Sequence, residues 1–307
     1  MVTGSFTINN EEYDGDFNLE LTLNSGQTSQ PPWNHKGDVY SEILLVDDTL
    51  VLVEVTQQDT NTPLIVNYYS KEEVNEEHIR STLFYIFDLE YNITEVYDFL
   101  ADNNELSDVY SFNKGLRLYK AQFPFECIIS SICSANNSIK RWTSSITQIK
   151  EAYGKKVTIN NKSGYIFPDE EVFVDIPEAD LKEYGVGYRS SYMINSSKMI
   201  LSDSEFHDTL DKMNYSDAYD KVIELEGVGP KVADCILLYG YHKREAYPVD
   251  VWINRITSYL YFDSKRQANN VIVDFGQEKF GQYAGYIQLY LFNYARLSGL
   301  MEKIKNI

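Results

Sequence analysis

The sequence predicts an α+β protein, with an N-terminal antiparallel β-sheet domain that carries helices, followed by a mostly α-helical domain built around a helix-hairpin-helix. Three observations predict it. Apolar residues alternate at period two through much of the first 70 residues, and from Lys71 onward they recur at spacings of three and four. The charge is divided in the same way: of a net charge of -19, residues 1–120 hold 22 acidic and 6 basic side chains, and residues 121–307 hold 24 and 21. A chain of 307 residues with 43% hydrophobic content can bury two cores of ordinary size, and the boundary is expected between 117 and 118. A uniformly acidic surface would repel phosphate, but this asymmetry leaves the second part free to face an anion.

Taken in order, FNLELTLN (17–24) reads as a strand with Phe17, Leu19, Leu21 and Leu23 inward. SEILLVDD, TLVLVEVTQQ and TPLIVNYYS follow as strands with turn residues between them, so the sheet should be antiparallel. EEVNEEHIRSTLFYIFDL and EVYDFLADN then read as helices packed on one sheet face. Beyond residue 118 the pattern is almost wholly helical, from CIISSICSANNSIKRWTSSITQIKEAYG to YAGYIQLYLFNYARLSGL. No apolar run approaches the roughly 18 residues of a membrane span, and the N-terminus lacks the basic flank and apolar stretch of a signal peptide. The expectation is an intracellular protein with no membrane association. Cys127, Cys133 and Cys235 are too few for a disulfide framework or a four-thiolate zinc or iron-sulfur site. His35, His78, His207 and His242 are too scattered for a metal cluster.

The most informative segment is SDAYDKVIELEGVGPKVADCILLYG, with the hairpin expected over about 216–240. A first helix ends at Leu225, Gly227 and Gly229 bracket Val228, and Pro230 sits at the first position of a second helix, where its missing donor is harmless. Two glycines allow close approach of a ligand, and free amides at the second helix's start suit a phosphate oxygen. An ordinary helix-helix turn would also look like this. Lys231 follows in the first turn, where the positive helix end favours the free amine that a nucleophile needs, although a lysine there can equally bind phosphate or point to solvent. Asp250, in YPVDVWINRI, is the expected N-cap of the next helix, and the returning chain could also set its carboxylate beside Lys231.

These residues resemble a known family. Leu225-Glu226-Gly227-Val228-Gly229-Pro230-Lys231-Val232-Ala233-Asp234-Cys235 with Pro248-Val249-Asp250-Val251 is similar to the signature of helix-hairpin-helix (HhH-GPD) DNA glycosylases. Within that superfamily the chain most resembles the 8-oxoguanine DNA glycosylase/AP lyase branch. Ser25-Gly26-Gln27, the segment Phe125 to Ile139, Gly185-Val186-Gly187-Tyr188-Arg189, and Ala284 to Gln288 with Phe292 resemble further segments of that branch in the same order. The resemblance runs from residue 25 to 292.

The resemblance implies a bifunctional enzyme of DNA repair that flips out 8-oxoguanine opposite cytosine, excises it and nicks the strand by β-elimination. Lys231 would attack the anomeric carbon and form a Schiff base, and Asp250 would stabilise the sugar cation. Cys235 and Phe292 would sandwich the base, Gln288 would read its Watson-Crick edge, and the Gly26 carbonyl would accept its N7 proton. Asn136 would fill the vacated stack beside Asn137, Tyr188 would wedge the duplex, and Arg141 and Arg189 would read the opposite cytosine. Gly227, Gly229 and Val232 would hold the DNA backbone. Main-chain carbonyls of Ile223, Leu225 and Val228 would form a structural cation site; no cofactor is required and no iron-sulfur cluster is expected. The implied partner is double-stranded DNA with a damaged base, bound by a monomer, at the nucleoid or in the nucleus.

Two departures stand out, the first bearing on specificity and the second on a phosphate contact. After Gly26-Gln27 the family has an aromatic, an arginine and a tryptophan in close order, whereas this chain runs Thr28-Ser29-Gln30-Pro31-Pro32-Trp33, and Trp252 stands where a histidine is usual. Two alternatives therefore stay open: a helix-hairpin-helix glycosylase for another modified base, and a noncatalytic DNA-binding module. The pairing of Lys231 with Asp250 argues against a pure binder, which needs neither.

Overall fold

A computed structural model describes residues 1–304. The first part consists of β1 (Val2–Ile8), α1 (Leu19–Leu23), β2 (Asn34–Lys36), β3 (Val39–Val46), β4 (Thr49–Thr56), β5 (Leu64–Ser70), α2 (Glu76–Ile86), α3 (Thr94–Ala101) and α4 (Ser107–Phe112). The strands form one antiparallel sheet in the order β1-β5-β4-β3-β2. Asp47 and Asp48, at φ 47° and 64°, close the two-residue turn between β3 and β4, a backbone whose twist matches that of the strands. The sheet buries Phe6, Ile8, Val51, Val53, Val55 and Val66 against Ile79, Leu83 and Ile86 of α2.

Two expectations need correction. Residues 17–24 are not a strand, because the Asn18 side chain accepts the Leu21 amide at 2.9 Å and starts α1, which turns Leu19, Thr22 and Leu23 inward at helical spacing. In so short a segment, leucines at 19 and 23 satisfy either period. The helix in EVYDFLADN does not pack on the sheet. Val96, Tyr97 and Leu100 of α3 join the helical core, and Phe99 packs against Phe280 and Tyr283. The second part is mostly helical, as expected, with one short β-hairpin that the apolar pattern did not announce. It contains α5 (Pro124–Ser134), α6 (Ile139–Tyr153), then β6 (Lys155–Ile159) and β7 (Lys162–Ile166), joined by Asn160-Asn161 at φ 49° and 59°. Val157 and Ile159 lie on Ile43 and Leu52, so this hairpin covers the sheet's other face and ties the two parts together.

The remaining helices are α7 (Glu170–Val174), α8 (Glu178–Glu183), α9 (Arg189–Leu201), α10 (Phe206–Lys212), α11 (Tyr215–Val222), α12 (Pro230–Gly240), α13 (Val251–Tyr261), α14 (Asn269–Phe280), α15 (Ala284–Leu297) and α16 (Leu300–Lys303). α5 and α12 pack together at the centre, with Cys127, Ile128, Ile236 and Leu237 fully buried. Asp88 joins the two parts. Its buried carboxylate meets Lys120 at 3.1 Å, Arg244 at 2.6 Å and the Tyr286 hydroxyl at 2.6 Å. Burial alone would raise this carboxyl, but Lys120, Arg244 and Tyr286 outweigh it and hold it below the usual carboxylate range. Among the described residues no helix is long and apolar enough to cross a membrane.

Candidate active site and DNA interface

The hairpin is α11, the loop 223–229 and α12, so the first helix stops at Val222 rather than Leu225. Asn214 caps α11 by accepting the Asp217 amide at 3.0 Å. Gly227 has φ +79°, and a Cβ there would lie 2.6 Å from Tyr192 Cβ, so the turn requires glycine. Pro230 is the first residue of α12, and the preceding Gly229 offers no side-chain acceptor, which leaves the helix's leading amides for a ligand.

Lys231 projects from this first turn, and its Nζ donates to Ser134 Oγ at 3.2 Å. Asp250 caps α13 by accepting the Ile253 amide at 2.8 Å, as its position in the sequence predicts. The cap is only part of its environment. Burial pushes the Asp250 carboxyl up, and the Ile253 amide, the Lys231 ammonium and the Trp252 amide offset that push, so the lysine lies within electrostatic reach of the carboxylate. Cys235 is one helical turn beyond Lys231; burial raises its thiol and the Lys231 charge opposes this. The chain thus brings an amine, a largely buried carboxylate and a thiol together.

They open into a cleft of about 1270 Å³. Of the residues singled out in the sequence, Gly26, Asn136, Asn137, Tyr188, Arg189, Gly227, Gly229, Lys231, Val232, Cys235, Asp250, Gln288 and Phe292 line it. Residues 1–120, which hold most of the acidic excess, contribute only Gly26 and Thr28 to this lining. Gln288 donates from Nε2 to the Pro248 carbonyl at 2.9 Å, while its buried Oε1 has no partner and is free to accept. Gly26, at φ +84°, admits no side chain, because a Cβ would lie 2.4 Å from Ile139 Cδ1. Asn136 has φ 50° just past the end of α5, which holds it out of the helix.

Other predicted residues are placed differently. Arg141 is exposed and lines a neighbouring groove of about 370 Å³ with Ser138 and Gly185. Arg189 is buried and donates to the carbonyls of Ala135 at 2.7 Å, Asn136 at 3.0 Å and Val186 at 3.1 Å, so it braces the Asn136 loop. Asn137 caps the end of α5, donating to the Cys133 carbonyl at 3.1 Å. Tyr188 is 56% exposed, the most exposed aromatic of the cleft, and Arg189 lies 4.5 Å from its ring centre. Ile223, Leu225 and Val228 lie outside the lining, with Leu225 and Val228 buried behind it and the Val228 amide on the Leu225 carbonyl at 3.1 Å. Among the described residues no group of three His, Cys, Asp or Glu side chains could hold a metal ion.

Among the cleft residues that sequence reasoning missed are Ser134 and Arg296. Ser134 touches Lys231, and only its place in the segment from Phe125 to Ile139 pointed to it. Arg296 lines the wall next to Phe292, its guanidinium 5.7 Å from the ring centre, with Nη2 on the Asn24 carbonyl at 3.2 Å and a buried Nε without a partner. Its spacing was legible: residues 288, 292 and 296 fall on one face of α15.

The family model for the 8-oxoguanine DNA glycosylase N-terminal domain matches residues 7–128, and that for the HhH-GPD superfamily of base excision DNA repair proteins matches residues 129–277. A protein from Methanothermobacter thermautotrophicus named "Probable N-glycosylase/DNA lyase" is 40% identical over 95% of this chain and 97% of its own length. The "N-glycosylase/DNA lyase" of Saccharomyces cerevisiae is 28% identical over 94% of this chain and 85% of its own. The crystal structure of Clostridium acetobutylicum 8-oxoguanine glycosylase/lyase in complex with double-stranded DNA containing cytosine opposite 8-oxoG superposes with a TM-score of 0.80 and 28% identity. That match covers 97% of this chain and 99% of the other. On both family models, an archaeal relative matched along nearly its whole length and a cleft that unites the residues of the hairpin signature, the chain belongs to the 8-oxoguanine glycosylase/lyase branch of the helix-hairpin-helix DNA repair glycosylases.

Proposed function

We propose that the protein excises 8-oxoguanine from double-stranded DNA, preferably opposite cytosine, and then cleaves the strand at the resulting site. The observation that carries this is the meeting of Lys231, Asp250 and Cys235 in one cleft behind the free amides of the hairpin. The damaged nucleotide must leave the stack to reach them, and Tyr188 and Asn136, which line the same cleft, suit a wedge and a filler for the gap. The Lys231 amine attacks the anomeric carbon, the bond to the base breaks, and the base departs with a proton. The ring-opened sugar then holds the lysine as an imine, from which β-elimination breaks the bond to the 3′ phosphate. Asp250, anionic and shielded from water, opposes the positive charge that develops on the sugar. Cys235 and Phe292 hold the faces of the base, and the free Oε1 of Gln288 accepts from its edge.

Arg141 and Arg189 read the opposite cytosine in this account, and Arg189 must exchange some of its loop carbonyls to do so. The carbonyls of Ile223, Leu225 and Val228 would hold a cation, which would stiffen the hairpin and add positive charge toward a phosphate; the Leu225 carbonyl also accepts the Val228 amide. The enzyme works where the genome is, at the nucleoid or in the nucleus. A second reading, another modified base with the same chemistry, is favoured by Arg296, whose unpartnered Nε adds a donor beside Gly26 and Phe292.

The test is a labelled duplex with 8-oxoguanine opposite cytosine, incubated with protein and borohydride. An adduct that vanishes in Lys231→Gln supports the first reading. An adduct with an abasic-site duplex alone supports the second, and none with either duplex removes the Schiff-base reading.

A further inference from the structure

We infer that Ser134 is a positioning residue for Lys231, a one-way hydrogen-bond acceptor that aims the amine and leaves its lone pair free. The inference rests on the reading of Lys231 as the nucleophile. A serine hydroxyl has one proton and two lone pairs. Ser134 Oγ lies 2.8 Å from the Ser131 carbonyl, which can only accept, so the hydroxyl's single proton is committed there. Toward Lys231 Nζ, at 3.2 Å, Ser134 can therefore offer only a lone pair.

The direction of this bond matters for the chemistry. A neutral amine has two N–H donors and one lone pair, and that lone pair makes the bond to the sugar carbon. A neighbour able to donate would occupy the lone pair and quench the nucleophile. Ser134, its proton already spent, takes an N–H instead and fixes one direction of the amine, so this contact does not occupy the lone pair.

The serine is itself held firmly. It is the last residue of α5 and buried, and its acceptor residue, Ser131, is tied to the departing loop through Thr28, whose Oγ1 lies 2.9 Å from Ser131 Oγ. Thr28 thus holds the side chain of Ser131 while Ser134 holds its carbonyl, which links the loop wall to the amine through one residue of α5. The Cys235 thiol also lies within side-chain hydrogen-bond reach of Lys231, so Ser134 shares the amine with one further neighbour.

Single-turnover borohydride trapping on an abasic-site duplex, with duplex affinity measured alongside, tests this in Ser134→Ala and Ser134→Thr. Ser134→Ala is expected to slow trapping roughly 10- to 100-fold, the size of effect that follows from a misplaced reacting group, with duplex affinity unchanged within about twofold. Ser134→Thr keeps the hydroxyl and should recover most of the rate. A purely structural role predicts the reverse order, since alanine fits this buried position and threonine adds a methyl group to it. Wild-type trapping in Ser134→Ala, or a Thr variant slower than the Ala variant, overturns the inference. Lys231→Gln in the same assay keeps the two claims apart: trapping that survives there overturns the nucleophile assignment itself, whatever Ser134 does.

Discussion

The cleft has two walls built in different ways. The hairpin wall, from Gly227 to Asp250, is organised by local rules: Pro230 opens α12, Asp250 caps α13, and both place their neighbours without help from distant chain. The loop wall, from Gly26 to Trp33, has almost no local order. Gln27 bonds to the Arg117 carbonyl at 2.9 Å and accepts the Tyr119 amide at 2.8 Å, Thr28 reaches Ser131, and Trp33 packs on Phe87. The reactive groups stand on the wall that follows the family's pattern, and the departures from that pattern lie mainly on the other. The difference teaches that one wall of the cleft is set by local backbone rules and the other by side-chain bonds to distant chain.

The strongest way to break this comparison is to damage the hairpin wall. Asp250→Asn keeps an N-cap for α13 but removes the anion, and excision should fall on the order of 10²- to 10³-fold with duplex affinity nearly constant, as single-turnover rates would report. An unchanged rate would leave Asp250 as a helix cap alone. A middle-sized effect is expected from the recognition face. Gln288→Ala removes the acceptor at the base edge and should weaken lesion binding by about 1–3 kcal/mol, while abasic-site binding stays the same. Equal losses on both duplexes would mean that the substitution had disturbed α15 and not recognition.

The smallest effect concerns what lies beneath the loop wall. Tyr119, whose hydroxyl reaches the Pro31 carbonyl, sits near the buried carboxylates Glu42 and Glu126. Burial raises the Glu126 carboxyl to about 7, with the Lys150 ammonium opposing and Glu42 adding to the rise, and Glu126 Oε1 has no hydrogen-bond partner. A carboxyl raised on folding favours its protonated form. Its contribution to stability is therefore complete below the unfolded value near 4.5 and is lost as pH rises through about 7. The melting temperature should decline between about pH 4.5 and 7, and Glu126→Gln should reduce that decline, leaving the part due to Asp234, whose carboxyl burial also raises to about 7. A wild-type profile identical to that of the variant would remove Glu126 as the cause.

The same contrast explains what could be read in advance. The hairpin turn, the helix starting at Pro230 and the cap at Asp250 were legible because glycine, proline and aspartate each impose their geometry within a few residues. Segment 17–24 was not, since its leucines fit both periods and a single side-chain bond from Asn18 decided between them. The hairpin β6–β7 was signalled only by Val157 and Ile159 next to Asn160-Asn161, and its burial depends on Ile43 and Leu52 more than a hundred residues away. Ser134 and Arg296 were missed for the same reason: what each does is set by partners from other elements. The braced state of Arg189 follows from carbonyls that the end of α5 leaves behind, which no residue pattern announces.

The central claim is that one amine on the hairpin wall performs the reaction. The most direct measurement is to trap the protein on an abasic-site duplex with borohydride, digest the adduct and locate the modified residue by tandem mass spectrometry. The account predicts the sugar remnant on Lys231. A remnant on another lysine, such as Lys140 or Lys265, would contradict it and move the chemistry off the hairpin.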